Sequence, residues 1–264
     1  MNSTQLIGGV ALAAVVSGIA RAVRSLSASG AWMALAVGAA TFGLGGLTPA
    51  VLLLLFFVSS SLLSRVGSKQ KTIVAAAFDK GGERDAGQVL ANGGLAAAGS
   101  IGYGLTGHPG WLGLIAGALA AANADTWATE VGVLARAWPR RLLDGKRVEP
   151  GTSGAVSGQG LLAASVGAGL VGLAAAALSS SGRLGVAATI GGFVGALVDS
   201  LLGATVQAMY WCPACLKETE RHPYHACGTP TTRRRGLAWL RNDGVNFGAT
   251  LAGAIVALAL YGAV

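Results

Sequence analysis

The chain has 264 residues, of which 53% are hydrophobic, 42 are glycine and 11 are acidic, against 19 Lys and Arg. Apolar runs long enough to cross about 30 Å of hydrocarbon recur along it, which excludes a soluble domain built round one large core. A net charge of +8 suits nucleic acid at first sight, but the basic residues lie between the apolar runs and report topology instead, so no nucleic-acid partner is expected.

The pattern predicts an all-α, multi-pass membrane bundle, a single integral membrane domain over residues 1–264. Eight helices are expected near 5–20, 31–46, 48–65, 88–106, 110–135, 154–180, 184–210 and 244–262. The first run, Leu6 to Ala20, follows no basic region and reads as a span, not a cleaved signal. Of the 19 Lys and Arg, all but Arg183 fall in alternate connections, those after the first, third, fifth and seventh helices. That asymmetry predicts termini outside and the long loops in the cytoplasm.

In chain order, the first polar motif is "KGGERDAGQVLANGG", which carries Lys80, Arg84 and Asp85 into the fourth helix. Gln88 and Asn92 follow at i, i+4 spacing and share a helix face. The fifth helix ends in "NADTWATE", placing Asn123, Asp125 and Glu130 where the chain otherwise looks like membrane. Asp125 is about 15 residues into its helix, roughly 22 Å along, in the cytoplasmic half. "EPGTSGAVSGQG" then opens the sixth helix, so that Gly151, Thr152, Ser153 and Gly154 surround free N–H groups suited to an anion.

Asp199, in "GALVDS", reaches a similar depth in the seventh helix. The likeness of "GALAAANADT" to "GALVDS", with a proline 14 residues after each aspartate (Pro139, Pro213), points to duplicated helix hairpins. An unpaired carboxylate facing lipid costs several kcal/mol, so both aspartates should face the interior or a wet cleft. The alternative role for each is a hydrogen-bonded lock between helices.

The loop at 211–241 holds "CPACLKETERHPYHACG" and is expected in the cytoplasm, where disulfides are disfavoured. Cys212, Cys215, His225 and Cys227 are a candidate set for tetrahedral structural zinc, with His222 competing for the histidine position. "WLRNDGVNF" opens the eighth helix with Asp243 and Asn246. Asp85 and Asp243, at helix starts, also suit plain capping or dipole roles. Together the acids, amides and cations converge on one face, and hard oxygens suit Mg²⁺ bridging carboxylates to substrate phosphates. No G-x₄-G-K-[ST], G-x-S-x-G or CDP-alcohol phosphotransferase motif occurs, which excludes a P-loop kinase.

The ordered run "RDAGQVLANGG", "NADTWATEVGVL", "PGTSGAVS", "GALVDSLLGATVQ" and "NDGVNF" resembles the family of transmembrane protein 19 and phytyl-phosphate kinase over nearly the whole chain. The resemblance implies an enzyme that turns a prenyl monophosphate into a diphosphate with a nucleoside triphosphate, preferably CTP. In the plant and cyanobacterial members the prenyl group is phytyl and the pathway leads to tocopherol. The acidic motif maps onto Asn123, Asp125, Thr126 and Glu130, the glycine turn onto Gly151 to Gly154, and the second acidic helix onto Asp199 and Ser200. Arg241 stands where many relatives are expected to carry an acid.

On that reading Asp85, Asp125, Glu130, Asp199 and Asp243 are the catalytic acids, and Asn123, Asp125 and Asp199 hold Mg²⁺. Lys80, Arg84, Asn92, Gly151, Thr152, Ser153, Gly154 and Asn246 bind phosphate or nucleotide, and the prenyl tail lies among membrane lipids. Two other classes fit the same residues: a transporter using Asp125 and Asp199 as ion sites, and a non-catalytic scaffold whose zinc loop binds a partner.

Overall fold

A computed structural model describes residues 3–67, 82–135 and 137–262. Among them are eight long helices: α1 (Ser3–Ala22), α2 (Ala28–Gly45), α3 (Leu47–Arg65), α4 (Ala86–Thr106), α5 (Gly110–Gly132), α6 (Gly158–Ser179), α7 (Gly182–Thr205) and α8 (Asn242–Gly262). Their starts are chemically marked. Ser27, Ser157 and Ser181 each accept a hydrogen bond from the backbone N–H three residues on, and Asp85 forms a reciprocal capping box with Gln88. Gly107, at φ 67°, ends α4 in the left-handed region that favours glycine.

Six of these helices are long and apolar enough to cross a membrane. The other two, α4 and α5, carry the polar residues Gln88 and Asn92, and Asn123, Asp125 and Glu130. The bundle is small inside and large outside. Its interior is dominated by alanine, including Ala96, Ala116, Ala120, Ala168 and Ala188, while Ile7, Trp32, Leu173 and Val186 are more than half exposed. In water that arrangement would be unfavourable; in lipid the large apolar side chains meet acyl chains and small faces let backbones approach.

Helix α5 is the hub, packed against α3, α4, α6, α7 and α8. A Cβ added at Gly117 would lie 2.4 Å from the Gly253 carbonyl oxygen, and one at Gly191 2.5 Å from the same atom. Only glycine permits α5, α7 and α8 to meet this closely, and the junction sets the rotation of each helix about its axis.

Short strands fill two connections. Between α5 and α6, β1 (Arg140–Arg141) pairs antiparallel with β2 (Ala155–Val156). Between α7 and α8, β3 (Met209–Cys212) is the centre of a three-stranded antiparallel sheet, flanked by β4 (Lys217–Thr219) and β5 (Thr232–Arg235). The seventh helix, expected to reach residue 210, ends at Thr205 because Met209–Cys212 is drawn into that sheet. The sixth, expected from residue 154, starts only at Gly158. Gly151 and Gly154 take φ 85° and 76°, which helix geometry forbids, and Ser157 is the residue that caps.

Candidate functional site

The C-terminal ends of α3, α5 and α7 and the N-terminal starts of α4, α6 and α8 surround one cleft of about 440 Å³. This is why motifs scattered through the sequence converge: antiparallel neighbours alternate ends and starts at the same face. The starts also aim free N–H groups and positive dipole ends at the cleft.

Asp125 from α5 and Asp199 from α7 line it, with their carboxyl groups in hydrogen-bond contact. Asp199 Oδ2 is buried with no hydrogen-bond partner among the described residues. Two carboxyl groups this close either share a proton or hold a cation between them. The unpartnered oxygen and the hard donor set fit a Mg²⁺ ion held by Asp125 and Asp199.

Arg84 reaches the same cleft and is fixed along its length. Its N–H donates to Ser25 O at 3.1 Å, its carbonyl accepts from Ser27 N–H at 3.0 Å, and Nη1 donates to Ser61 Oγ at 2.9 Å. The guanidinium stacks near Phe57 and Phe56, with 5.6 and 5.9 Å to the ring centroids. Burial lowers its pKa and the charge of Glu130 opposes that, but a guanidinium remains a cation at any working pH. Glu130 lines the cleft and accepts a short hydrogen bond from Ser64.

Asn92, Asn246 and the whole of Gly151–Ser157 also line it. The turn does not present the N-terminus of α6, as its sequence suggested. Gly154 packs on the end of α7, where an added Cβ would lie 2.2 Å from Ala204 N, and Ser153 donates to Gln207 Oε1 at 2.6 Å.

Other expected residues lie elsewhere. Asn123 is fully buried and its amide is consumed: Oδ1 accepts from Ser59 and Ser60 at 2.9 and 3.2 Å, and Nδ2 donates to Gly167 O at 2.8 Å. It ties α3 to α5 and α6 and has no oxygen left for a metal. Asp85 caps α4, and Asp243 approaches the same turn, its Oδ2 2.3 Å from where a Cβ on Gly87 would sit. Neither is part of the cleft lining. Lys80 lies outside the described residues.

The cleft also holds Asn242 of the "WLRNDGVNF" motif, and Gln207 and Glu220, which the motif reading does not single out. Glu220 accepts from Gln207 Nε2 at 2.9 Å. The only clue to it was its place inside the cysteine motif, where a glutamate reads as solvated loop.

A second cavity, of about 60 Å³, lies among α1, α2, α3 and α4, lined by apolar groups such as Val37, Phe42, Leu53 and Phe57. Arg84, Gln88 and Asn92 line both cavities, so the apolar slot and the polar cleft adjoin at those three residues.

In the β module, one ligand atom each from Cys212, Cys215, His225 and Cys227 falls within 4.8 Å of all the others. His222, the competing histidine, instead stacks on Tyr210 with ring centroids 4.3 Å apart. The Cys227 thiol is drawn down to about 5, chiefly by the Thr229 hydroxyl and then by His225, while Cys215 is pushed up to about 11 by the neighbouring Cys227 sulfur. Crowded thiols that resist ionising together are what a bound dication relieves.

The sequence matches the family described as integral membrane protein DUF92 over residues 11–254. It is 36% identical over 226 residues to Protein PGR of Arabidopsis thaliana, covering 74% of this chain and 75% of that one. It is 31% identical over 217 residues to an uncharacterized membrane protein of Methanocaldococcus jannaschii, covering 80% and 75%. No solved structure matches.

Proposed function

Because the chain belongs to the DUF92 family of integral membrane proteins, we propose that it is a membrane kinase transferring a phosphoryl group from CTP or another nucleoside triphosphate to a prenyl monophosphate. The observation that carries this reading is the shared wall of Arg84, Gln88 and Asn92 between a cleft lined by acids and an apolar slot within the bundle. A phosphate on a prenyl tail needs that pair of environments side by side.

In the reaction, an oxygen of the prenyl phosphate attacks the γ-phosphorus, the bond to the β-phosphate oxygen breaks, and the nucleoside diphosphate leaves with those electrons. The acceptor is already an anion, so no strong general base is needed and positioning supplies most of the catalysis. Asp125 and Asp199 would hold Mg²⁺, which when bound neutralises phosphate oxygens. Arg84 offers its guanidinium to a phosphate, and Asn246 and the 151–157 turn line the far side. Ser64 donates to Glu130, whose negative charge favours the charged form of Arg84. The basic loops suggest that this face is cytoplasmic, where nucleotide is available.

The test is transfer of labelled γ-phosphate from CTP to phytyl and shorter prenyl monophosphates by the detergent-purified protein. A labelled diphosphate that forms only with Mg²⁺ is expected. Absence of product, together with ion-coupled flux in proteoliposomes, would favour a transporter built on the same two aspartates.

A further inference from the structure

The β module between α7 and α8 is joined to the cleft from two sides. Arg235 Nη1 donates to the last-turn carbonyls of α7, Gly203 O at 2.9 Å and Ala204 O at 3.1 Å, so β5 is seated on the end of the helix that carries Asp199. Gly236 passes so close to this junction that a Cβ on it would lie 1.9 Å from Gln207 O. From the other side, Glu220 follows β4 into the cleft and accepts from Gln207, which in turn accepts from Ser153 of the 151–157 turn. A hydrogen-bonded relay thus runs from the β module to the loop that forms the cleft's far wall.

The module is too small to hold that relay by burial alone. Its strands have four, three and four residues, and Cys227 with Ala226 and Gly228 beside it is exposed. Its anchor is the cysteine and histidine cluster. Cys212 Sγ lies 3.6 Å from Cys227 Sγ, and His225 Nδ1 lies 3.5 Å from Cys215 Sγ and 3.2 Å from Cys227 Sγ. Tetrahedral zinc, with Zn–S of ~2.3 Å and Zn–N of ~2.0–2.1 Å, sets ligand spacings of roughly 3.5–3.8 Å. The three sulfurs and Nδ1 are therefore near coordination distance already, with β3 supplying Cys212, the β3–β4 turn Cys215, and the β4–β5 connection His225 and Cys227.

We propose that Cys212, Cys215, His225 and Cys227 bind one zinc ion, and that this ion holds the β module so that Glu220, through Gln207 and Ser153, fixes the 151–157 wall of the cleft. Zinc is structural here: four protein ligands complete its shell, and its effect on the cleft passes through Glu220.

Zinc content and hydrogen exchange of the full-length protein in detergent test it without any turnover measurement. Wild type, His222→Ala and Glu220→Ala should each carry one zinc per chain, and His225→Ala should lose it. Removing zinc from the wild type with a chelator should speed exchange at residues 149–157 as well as 217–221. Glu220→Ala, with its zinc retained, should speed exchange at 149–157 alone. A freshly purified wild type without zinc, or His225→Ala with a full equivalent, would overturn the metal site. Unchanged exchange at 149–157 after zinc removal and in Glu220→Ala would overturn the link to the cleft.

Discussion

Asp125 and Asp199, from helices that are separated by α6 in the chain, meet carboxyl to carboxyl at the polar end of the bundle. Asp125→Asn and Asp199→Asn are each expected to lose nearly all Mg²⁺-dependent transfer. Neither should fold less well, because a carboxamide keeps the hydrogen bond to the partner carboxyl and needs no shared proton or cation to do so. Turnover and thermal midpoint in detergent, measured together, check this. Rates near wild type in both variants would reduce the pair to a lock between helices.

Arg84 sits where the cleft meets the apolar slot, its backbone pinned by the α1–α2 connection. Arg84→Ala should weaken CTP binding by roughly 1.5–3 kcal/mol, the usual worth of a hydrogen bond to a charged group. Titration of the purified variant with CTP and, separately, with a prenyl monophosphate gives the answer. If only the lipid phosphate is lost, Arg84 belongs to the acceptor.

Asn123 lies two residues from Asp125 and does different work. Asn123→Ala leaves Ser59, Ser60 and the Gly167 carbonyl without their shared partner. A loss of about 1–2 kcal/mol in stability is expected, at the upper end of interhelical polar contacts in membranes. The Mg²⁺ concentration needed for half-maximal rate should not change. A raised Mg²⁺ requirement at normal stability would make Asn123 a ligand after all.

The two glycines of the 151–157 turn should respond differently. Both take positive φ, but at Gly154 a new Cβ would also meet the α7 backbone, 2.2 Å from Ala204 N. Gly151→Ala carries the conformational cost of about 1–2 kcal/mol, and Gly154→Ala carries that cost together with the clash against α7, so its thermal midpoint should fall further. If instead Gly154→Ala melts normally and loses only CTP affinity, the turn is a phosphate cradle at that residue too.

Val37 faces the apolar slot, 3.0 Å from where a Cβ on Gly93 would stand. Val37→Phe should fill the slot and lower activity toward long prenyl phosphates more than toward short ones, with CTP affinity unchanged. Equal losses at every chain length would place the tail elsewhere, against the outer surface of the bundle.

Much of this protein was legible in one dimension. Runs such as Leu47–Arg65, the helix start at Asp85 and the alternation of basic connections are all local features of the chain, so the helices and the end that gathers polar motifs follow from the sequence. The family resemblance read from the ordered motifs agrees with the DUF92 match. The cysteine cluster was legible for the same reason, since its candidate ligands span only 16 residues of chain, Cys212 to Cys227. Tertiary structure decided which polar side chains meet. Asn123 and Asp125 are neighbours in sequence but about 200° apart around α5, so one binds α3 and α6 while the other faces the cleft. The rotation that sorts them comes from glycine contacts such as Gly117 and Gly191 against Gly253, within helices whose polar residues gather at one end. A helix without a polar stripe carries no periodicity from which its orientation can be read. Glu220 was hidden for a related reason: it enters the cleft only because a folded β module, seated on α7 by Arg235, turns its strand end inward.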